Sequence, residues 1–492
     1  MLLQAQTLPR RDTRKLARHH AAFLVTVLAA VLLRAGAELA YRPALFFSDS
    51  WVYLSMASRG APVAVMPSRP SGYPLLLALL ALPGHDVLLV TVAQHAAGVA
   101  VGVLVYIVLL HAGLQRPLAA LAAALVMLAP SAIVLEQFIM AEALFTLLLF
   151  SAIALTILRR ASPRALMLAG ILLGVACTLR TSALFVIPVW LIYLLWTARD
   201  RRRMLCGALG LILPLALYAS WNAVQTDGSV SLDQMRGWFL YGRVAQIADC
   251  NGATIPAFTR PLCVPPALRH KFSPGDWIWI PASPPDQLTG GNPDFYADKP
   301  GGAARSAANN QVLQDFAVAI IRTHPLAYAH VAAADFLRFF DPRAIPHNDP
   351  DGVTVTFPSS PLLGWVYGSY RDRYLPGYKA RVRWPAPLLV QYQKRFPDPR
   401  LLLGVLSIVA LVALLAPVLP LGHLDVRRRA EIFLLTGSGI AMLLASAAFV
   451  AFVVRYLIPA IPLLISGGIL AVNELLHATQ GARAWRLRLS SA

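Results

Sequence analysis

A single acidic residue, Asp49, lies in an apolar and aromatic stretch of the chain, residues 46–53. Burial among apolar side chains disfavours the charged form of a carboxyl group, so this setting predicts a raised pKa for Asp49. Such a group suits general-base work on an acceptor hydroxyl, which typically contributes about 10²–10⁴-fold in rate. The structural alternative is that Asp49 caps a short helix over residues 50–58, because Asp is a favoured N-cap residue.

Three arginines are candidates to bind an anion near this carboxylate. Arg69 lies in a loop stiffened by prolines, and its guanidinium suits a phosphate, although an arginine at this depth also suits an ordinary anionic lipid. Arg455 lies at the outer end of the last predicted span, where a basic residue is not explained as a topology signal. Arg180 and Glu142 lie near the outer halves of spans, where each charge costs about 2.5–3.5 kcal/mol. Arg180 is therefore either a second anion site or the partner of Glu142.

The other polar motifs are less specific. His95 follows Gln94 inside a span, so it either lines a polar cavity or hydrogen-bonds a neighbouring helix. The segment Asp349-Pro350-Asp351 resembles a metal-holding Asp-x-Asp motif, but Asp beside Pro is common in turns. The chain has no HExxH motif, Walker loop, dinucleotide fingerprint or nucleophile elbow. The sequence therefore excludes ATP-driven transport by this chain, predicts no cofactor and gives no support for a divalent metal.

The composition indicates a membrane protein that places these side chains. Of 492 residues, 57% are hydrophobic and 14% are charged, an apolar excess that one water-soluble core cannot bury. A helix needs about 20 mostly apolar residues to cross the hydrocarbon. The sequence predicts an all-α polytopic fold with a short re-entrant or interfacial helix at 73–82 and ten spans, at 21–40, 86–111, 118–135, 138–158, 165–179, 183–198, 205–222, 401–420, 431–453 and 456–474.

Basic residues orient these spans. With ten spans, all five basic clusters fall on one side, which the positive-inside rule identifies as cytoplasmic; nine or eleven spans would break this agreement. The clusters are Arg10–Arg18, Arg159–Arg164, Arg199–Arg203, Arg427–Arg429 and Arg483–Arg488. Because they flank apolar runs, the net charge of +19 does not indicate nucleic-acid binding. The first span could be a cleaved signal peptide, but an Arg34–Glu38 pair on one helix face favours an uncleaved anchor.

The spans divide the chain into three parts. Residues 1–222 form an N-terminal membrane module with a catalytic first outer loop at 41–86, and residues 401–492 form C-terminal spans and a cytoplasmic tail. Between them, residues 223–400 are predicted to be a folded cap of mixed structure outside the cytoplasm, with two helices interrupted at His324-Pro325. Cys250 and Cys263 lie in this cap, in an oxidising compartment, and we expect them to form a disulfide.

Five motifs in order resemble the GT-C superfamily of integral membrane glycosyltransferases, in the branch of protein O-mannosyltransferases and the lipid A aminoarabinose transferase. They are SDSWVYLSMA at 48–57, SRPSGYPLLLALL at 68–80, MAEALFTLLLF at 140–150, LRTSALFVIPVW at 179–190 and RYLIPAIPLL at 455–464. The resemblance covers roughly residues 20–222 and 400–475. It implies a polyprenyl-phosphate sugar donor and inversion at the anomeric carbon, with Asp49 as base and Arg69-Pro70 as the element that contacts the lipid phosphate. Ser68 stands where some members have an acidic residue that helps to hold a metal.

These observations predict a glycosyltransferase of the bacterial inner membrane, multi-pass with both termini cytoplasmic, that acts on an outer-face glycan, lipid or protein. The expected donor-binding residues are Arg69, Tyr73, Arg180, Arg455 and Tyr456, with Glu142 and His95 in support. One alternative is a lipid-linked oligosaccharide flippase, which would need broken spans with repeat symmetry. The other is an oligosaccharide polymerase or ligase that relies on loop arginines. Convergence of Asp49, Arg69 and Arg455 on one cavity would favour the transferase, because catalytic groups must lie within hydrogen-bond reach of the reacting atoms.

Overall fold

The computed structural model describes most of the chain as helices. The described residues are 18–490 except 59–64, 82–86, 160–161, 198–199, 227–229, 231, 233, 253, 270, 296–300, 346–352, 361–380 and 417–424. Within these residues, β pairing is limited to two isolated bridges, Leu45 with Phe138 and Met66 with Arg69. The predicted all-α class is therefore confirmed.

Ten α-helices lie in the described part of the N-terminal module. They are α1 Ala21–Ala40, α2 Ser48–Ser58, α3 Gly72–Ala81, α4 Leu88–His111, α5 Arg116–Met127, α6 Pro130–Gln137, α7 Glu142–Leu158, α8 Pro163–Leu179, α9 Val186–Thr197 and α10 Arg201–Gln225. A 3₁₀ turn, Thr181–Phe185, leads into α9. The short α3 coincides with the re-entrant or interfacial piece predicted after the first outer loop.

The cap and the C-terminal spans contain the remaining helices. They are α11 Arg236–Val244, α12 Pro274–Trp279, α13 Pro284–Thr289, α14 Gly302–Thr323, α15 Pro325–Arg338, α16 Ala386–Arg395, α17 Arg400–Leu415, α18 Val426–Phe449 and α19 Ile461–Ser490, with a 3₁₀ helix Val454–Ala460 before α19. Helices α14 and α15 meet at the predicted His324-Pro325 interruption, because Pro325 occupies the first helical position of α15.

Among the described residues, five helices are long and apolar enough to cross a membrane, and the number rises to seven if two bent pairs each count as one span. The bent pairs are α5 with α6 and α16 with α17, each bent by 45°. Three shorter apolar helices, Glu142–Leu158, Pro163–Leu179 and Thr181–Thr197, correspond to further predicted spans. Each predicted span thus coincides with a helix or a bent pair. The count of ten crossings stays a prediction, because the three shorter apolar helices have no more than 17 residues each.

The bend at Pro130 directs the polar end of α6 into the bundle. Arg34 Nε and Nη2 donate to the two carboxylate oxygens of Glu136 at 2.8 and 2.7 Å. His95 Nδ1 lies 2.8 Å from Glu136 Oε2, and His95 Nε2 lies 2.8 Å from Gln137 Oε1. The predicted Arg34–Glu38 pair is therefore wrong, because Glu136 on a neighbouring helix offers Arg34 a bidentate partner that a residue on the same helix does not. For His95, the alternative of hydrogen bonding to a neighbouring helix is the one observed.

Glu136→Gln is expected to destabilise the bundle, because it leaves the buried Arg34 guanidinium without its countercharge. Removing one partner of a buried ion pair typically costs about 3–5 kcal/mol. We expect a lower melting temperature in detergent than for wild type and for Glu474→Gln, which removes the same charge from a half-buried position of α19. An unchanged melting temperature would contradict a stabilising role of this pair.

The described part of the cap has a hydrophobic core of its own, formed around Trp238, Tyr241 and Phe316. A disulfide joins Cys250 to Cys263, with their Cα atoms 5.9 Å apart, which is the pairing predicted from the sequence. The regular elements of this part are α-helices and 3₁₀ turns, which irregular segments connect. The sequence analysis also missed α16, because its amphipathic residues do not resemble a span. Helix α16 packs beside α1, where Leu389 lies close to Gly36.

Candidate functional site

Asp49 is buried in the first turn of α2, with 5% of its surface exposed. The helix begins at Ser48, so Asp49 lies inside it and not at the predicted N-cap position. Its Oδ1 accepts a hydrogen bond from Arg69 Nη2 at 2.5 Å, and its Oδ2 lies 2.6 Å from Arg455 Nη2. Both carboxylate oxygens of Asp49 are thus engaged by guanidinium groups.

Arg69 reaches Asp49 from the loop between α2 and α3. This loop turns back at residues 66–69, where the Arg69 N–H donates to the Met66 carbonyl at 3.4 Å. The cap contacts the loop from the other side: the Ser68 N–H donates to Asp294 Oδ1 at 3.1 Å, and the Arg69 guanidinium lies 5.7 Å from the centre of the Trp279 ring. The loop carrying Arg69 is therefore fixed by the membrane module and by the cap.

Arg455 arrives from the C-terminal part of the chain. Helix α18 ends at Phe449, and Arg455 is the second residue of the 3₁₀ helix that precedes α19. Besides its contact with Asp49, its Nε lies 3.9 Å from Glu142 Oε1 at the start of α7. Arg455 is buried, so its charge has to be balanced by these two carboxylates.

A second ion pair lies beside the first. Arg180, at the C-terminal end of α8, donates from Nη1 to Glu142 Oε1 at 2.5 Å. The Tyr456 ring is shared by two cations, with Arg180 Cζ 4.7 Å and Arg455 Cζ 5.4 Å from its centre. Of the two alternatives for Arg180, partnership with Glu142 is observed, and the same side chain also lines the cavity described below.

The charges in this cluster do not cancel. Three guanidinium groups (Arg69, Arg180 and Arg455) face two carboxylates (Asp49 and Glu142), so the formal sum is 3 − 2 = +1. A group with one negative charge would complete the balance. A phosphodiester carries one such charge and offers acceptor oxygens that guanidinium groups bind well.

The predicted rise in the pKa of Asp49 is wrong. Burial does raise the pKa of this carboxyl, but the guanidinium groups of Arg455 and Arg69 lower it more, so the pKa lies well below its usual value. The sequence indicated only the apolar surroundings of Asp49. The cations that reverse the effect come from other segments of the chain.

Because the pKa of Asp49 is lowered, we expect kcat/KM not to decrease as the pH is lowered from about 8 to 5. The carboxylate of the free enzyme stays ionised throughout this range. A carboxyl with a lowered folded-state pKa adds stability above its ordinary pKa, and that stability is lost only as the pH falls through the lowered value. Arg69→Ala removes one of the cations that lower the pKa, so we expect the acid limb of this variant to move upward. A decrease in the kcat/KM of wild type within this pH range that is absent in Asp49→Asn would contradict the lowered pKa of Asp49.

A cavity of about 570 Å³ opens next to the cluster. Its charged and hydroxyl-bearing lining residues include Asp49, Arg69, Arg180, Arg236, Tyr53 and Tyr456. Its lining also includes apolar side chains, among them Leu184, Phe185, Met442, Ala445 and Phe449. The Phe185 and Phe449 side chains are 38% and 43% exposed, and their ring centroids are 5.4 Å apart. The cavity lining therefore combines charged side chains with an apolar, partly exposed pair of rings on the Thr181–Thr197 helix and α18.

Residues 82–228 match the family model of dolichyl-phosphate-mannose-protein mannosyltransferases. This match confirms the resemblance to GT-C glycosyltransferases that the sequence motifs indicate. The matched segment includes Glu142 and Arg180, and it begins after Asp49 and Arg69. No curated protein matches the chain.

Several solved structures resemble the whole chain at low sequence identity. The oligosaccharyltransferase of Archaeoglobus fulgidus in the apo form has 13% identity and a TM-score of 0.42, covering 96% of this chain and 52% of its own. The same archaeon's AglB, in complex with an inhibitory peptide and a dolichol-phosphate, has 12% identity and a TM-score of 0.39, covering 97% and 52%. ArnT from Cupriavidus metallidurans, bound to undecaprenyl phosphate, has 14% identity and a TM-score of 0.34, covering 87% and 77%. The chain spans about half the length of the archaeal oligosaccharyltransferase.

Four of the predicted site residues do not line the cavity, namely Tyr73, His95, Glu142 and Arg455. Glu142 and Arg455 nevertheless contact lining residues, since Glu142 pairs with Arg180 and Arg455 pairs with Asp49. Tyr73 is fully buried and donates its hydroxyl to Gln94 Oε1 at 2.8 Å, and its role in donor binding stays a prediction. His95 contacts Glu136 of α6, as described above. Tyr53, which the sequence analysis missed, lines the cavity instead and packs on Tyr73 with ring centroids 4.8 Å apart. Its position four residues after Asp49, on one face of α2, was the available signal.

Metal ligands are not grouped in the described part of the chain, where no cluster of three or more His, Cys, Asp or Glu side chains could hold an ion. The Asp349-Pro350-Asp351 motif lies outside the described residues.

Proposed function

We propose that this chain is an inverting glycosyltransferase that moves a sugar from a polyprenyl-phosphate carrier to an acceptor hydroxyl on the outer face of the bacterial inner membrane. The observation that carries the proposal is the arrangement of Asp49 between Arg69 and Arg455, beside a cavity whose lining is partly charged and partly apolar. The family match supports glycosyl transfer as the reaction class. The positive-inside pattern supports cytoplasmic termini and an outward-facing site.

The reaction needs one base and cations for the leaving group. The acceptor oxygen forms a bond to the anomeric carbon while the bond from that carbon to the phosphate oxygen breaks. The hydroxyl proton goes to Asp49, and the bonding electron pair leaves with the prenyl phosphate. Arg69, Arg180 and Arg455 then face a group whose negative charge has increased, and preorganised cations stabilise such a transition state most effectively.

Donor binding would also prepare the base. In the absence of substrate, Asp49 has a guanidinium on each oxygen, an arrangement that favours the carboxylate but makes it a weak base. A phosphate that enters the cluster competes with Asp49 for Arg69 and Arg455, since phosphate and carboxylate both accept the two-pronged guanidinium. Loss of these contacts raises the pKa of Asp49 toward the range in which a carboxylate removes a proton efficiently.

The apolar part of the cavity lining suits the isoprenoid tail of the donor. Phe185 and Phe449 belong to it and lie on helices that face the hydrocarbon, so a tail could enter from the side while the phosphate stays beside the charged side chains. Burial of isoprenoid methylene groups contributes about 0.8 kcal/mol each. Arg236 also lines the cavity, so the site has a further cation besides Arg69 and Arg180 for the donor phosphate.

Purified protein in lipid nanodiscs can test this proposal with synthetic prenyl-phosphate and prenyl-diphosphate sugars. Mass spectrometry would follow the released carrier and the glycosylated product. We expect acceptor-dependent release of prenyl monophosphate with at least one sugar. Release of carrier only from diphosphate donors would favour the polymerase or ligase, and movement of intact donor across the bilayer without release would favour the flippase.

A further inference from the structure

Asp335, on cap helix α15, has contacts that reach the segment before Arg455. The residue is 3% exposed. Its Oδ2 accepts a hydrogen bond from Arg243 Nη1 at 2.6 Å and another from the backbone N–H of Phe452 at 3.2 Å, while its Oδ1 accepts from Arg338 at 2.7 Å. Phe452 precedes Arg455 by only three residues. One carboxylate of the cap therefore holds the backbone from which Arg455 extends.

The cap fixes this segment at further points. The Tyr328 hydroxyl, also on α15, donates to the Ala448 carbonyl at 2.9 Å. The Phe339 ring packs edge-on against Phe452, with centroids 5.0 Å apart. From within α18, Ser446 Oγ donates to the Ala451 carbonyl at 3.0 Å. Two backbone groups of the peptide between α18 and the 3₁₀ helix, the Ala451 carbonyl and the Phe452 N–H, are thus bound by side chains from α18 and from the cap.

The buried Arg243–Asp335 ion pair is not an efficient way to stabilise the fold. Arg243 is 1% exposed, and its Nε and Nη2 have no hydrogen-bond partner among the residues that the structure describes. Buried ion pairs often add little to stability compared with apolar residues, and unsatisfied buried donors cost about 1–3 kcal/mol each. The pair does provide a rigid acceptor for the backbone N–H of Phe452, which precedes Arg455 by three residues in the chain.

We propose that Asp335 is a positioning residue that sets Arg455 against Asp49 through the backbone of Phe452, and so makes the geometry of the membrane site depend on the cap. Catalytic groups have to be held within about 0.5 Å, and a misplacement of 1 Å can cost about 10²-fold in rate. Asp335 itself lies outside the group of residues that line the cavity. Its effect on transfer rests on the proposed function, whereas its effect on the Phe452 segment does not.

Hydrogen exchange tests the structural step without any assay of transfer. In Asp335→Ala we expect faster exchange of peptides that contain Phe452 than in wild type. Asp335→Asn retains an oxygen that can accept the Phe452 N–H, so it should recover part of the protection. The matched control is Asn310→Ala, which removes a buried cap acceptor for the Gly237 N–H at 2.8 Å and leaves the Phe452 segment untouched. Equal exchange at Phe452 in wild type, Asp335→Ala and Asp335→Asn would overturn the proposal.

Transfer activity tests the functional step. We expect Asp335→Ala to lower kcat by about 10–100-fold, with partial rescue in Asp335→Asn and little change in Asn310→Ala. In an Arg455→Ala background, the same substitution at Asp335 should cost less than about threefold, because coupled residues are not additive. Additive losses in the two backgrounds, or equal losses in Asp335→Ala and Asn310→Ala, would contradict positioning. If wild-type protein transfers no sugar, the proposed function fails, and the exchange experiment still decides the role of Asp335.

Discussion

Asp49→Asn is expected to lower the rate of glycosyl transfer by about 10²–10⁴-fold, the usual contribution of a general base. The amide keeps the size of the side chain and an oxygen for one guanidinium, but it cannot take the proton of the acceptor. The substitution also removes one negative charge from the cluster, so its formal sum rises from +1 to +2. Affinity for the anionic donor should therefore stay the same or increase. Initial rates and donor binding in nanodiscs would measure the two effects separately.

Asp398→Asn is the matched control for this variant, because Asp398 forms an exposed ion pair with Arg400 outside the cavity. It should retain wild-type activity. Melting temperatures of both variants would show whether the loss in Asp49→Asn reflects chemistry or unfolding, since the change leaves two buried guanidinium groups with a weaker partner. Full activity of a folded Asp49→Asn protein would refute the role of Asp49 as base.

Arg69→Ala is expected to weaken donor binding by about 10–100-fold. A hydrogen bond to a charged group contributes about 1.5–3 kcal/mol, and 1.4 kcal/mol corresponds to a factor of ten. The variant should show its effect in the KM for the donor, whereas the KM for the acceptor should change little. Arg69→Lys keeps the charge but loses the planar fork, so we expect an intermediate affinity.

Arg269→Ala serves as the control for Arg69, because Arg269 is a cap residue that donates to the Val264 carbonyl at 3.0 Å and does not line the cavity. Titration with a prenyl phosphate that lacks a sugar would measure phosphate binding alone. An unchanged affinity for this lipid in Arg69→Ala would contradict a phosphate-binding role, and would favour the alternative of an arginine that contacts ordinary lipids.

The sequence predicts the helices of this fold well, because the hydrocarbon core demands long apolar segments and these are easily recognised. Each predicted span coincides with a helix or a bent pair. The bend between α5 and α6 was not predicted, since it depends on how Pro130 is accommodated in the bundle. Helix α16 was missed because it is amphipathic and therefore does not resemble an apolar span. Its position beside α1 depends on tertiary packing, which the sequence pattern does not show.

The charged residues of the site could be predicted from the sequence, but the ion pairs that they form could not. Charges are costly near the bilayer, so Asp49, Arg69, Arg180 and Arg455 could be selected as candidates without a structure. Which charges meet depends on segments far apart in the chain. For this reason the direction of the Asp49 pKa was predicted wrongly, and Arg34 was assigned Glu38 as a partner when Glu136 is the residue it contacts.

Tyr73 illustrates a further limit of motif-based assignment. It lies four residues after Arg69 in the motif that carries the family resemblance, yet its side chain points to Gln94 inside the bundle. Tyr53 takes the position at the cavity. A short helix can present only one face to a site, and the sequence of the motif does not specify which face that is.

A structure of the protein in nanodiscs with a prenyl-phosphonate sugar analogue, which the enzyme cannot cleave, would test the central claim most directly. We expect the phosphonate within hydrogen-bond distance of Arg69 and of Arg455 or Arg180, the tail between Phe185 and Phe449, and at least one oxygen of Asp49 released and turned toward the anomeric carbon. A phosphonate bound outside this cavity, or an Asp49 that keeps both guanidinium contacts and points away from the sugar, would contradict the account.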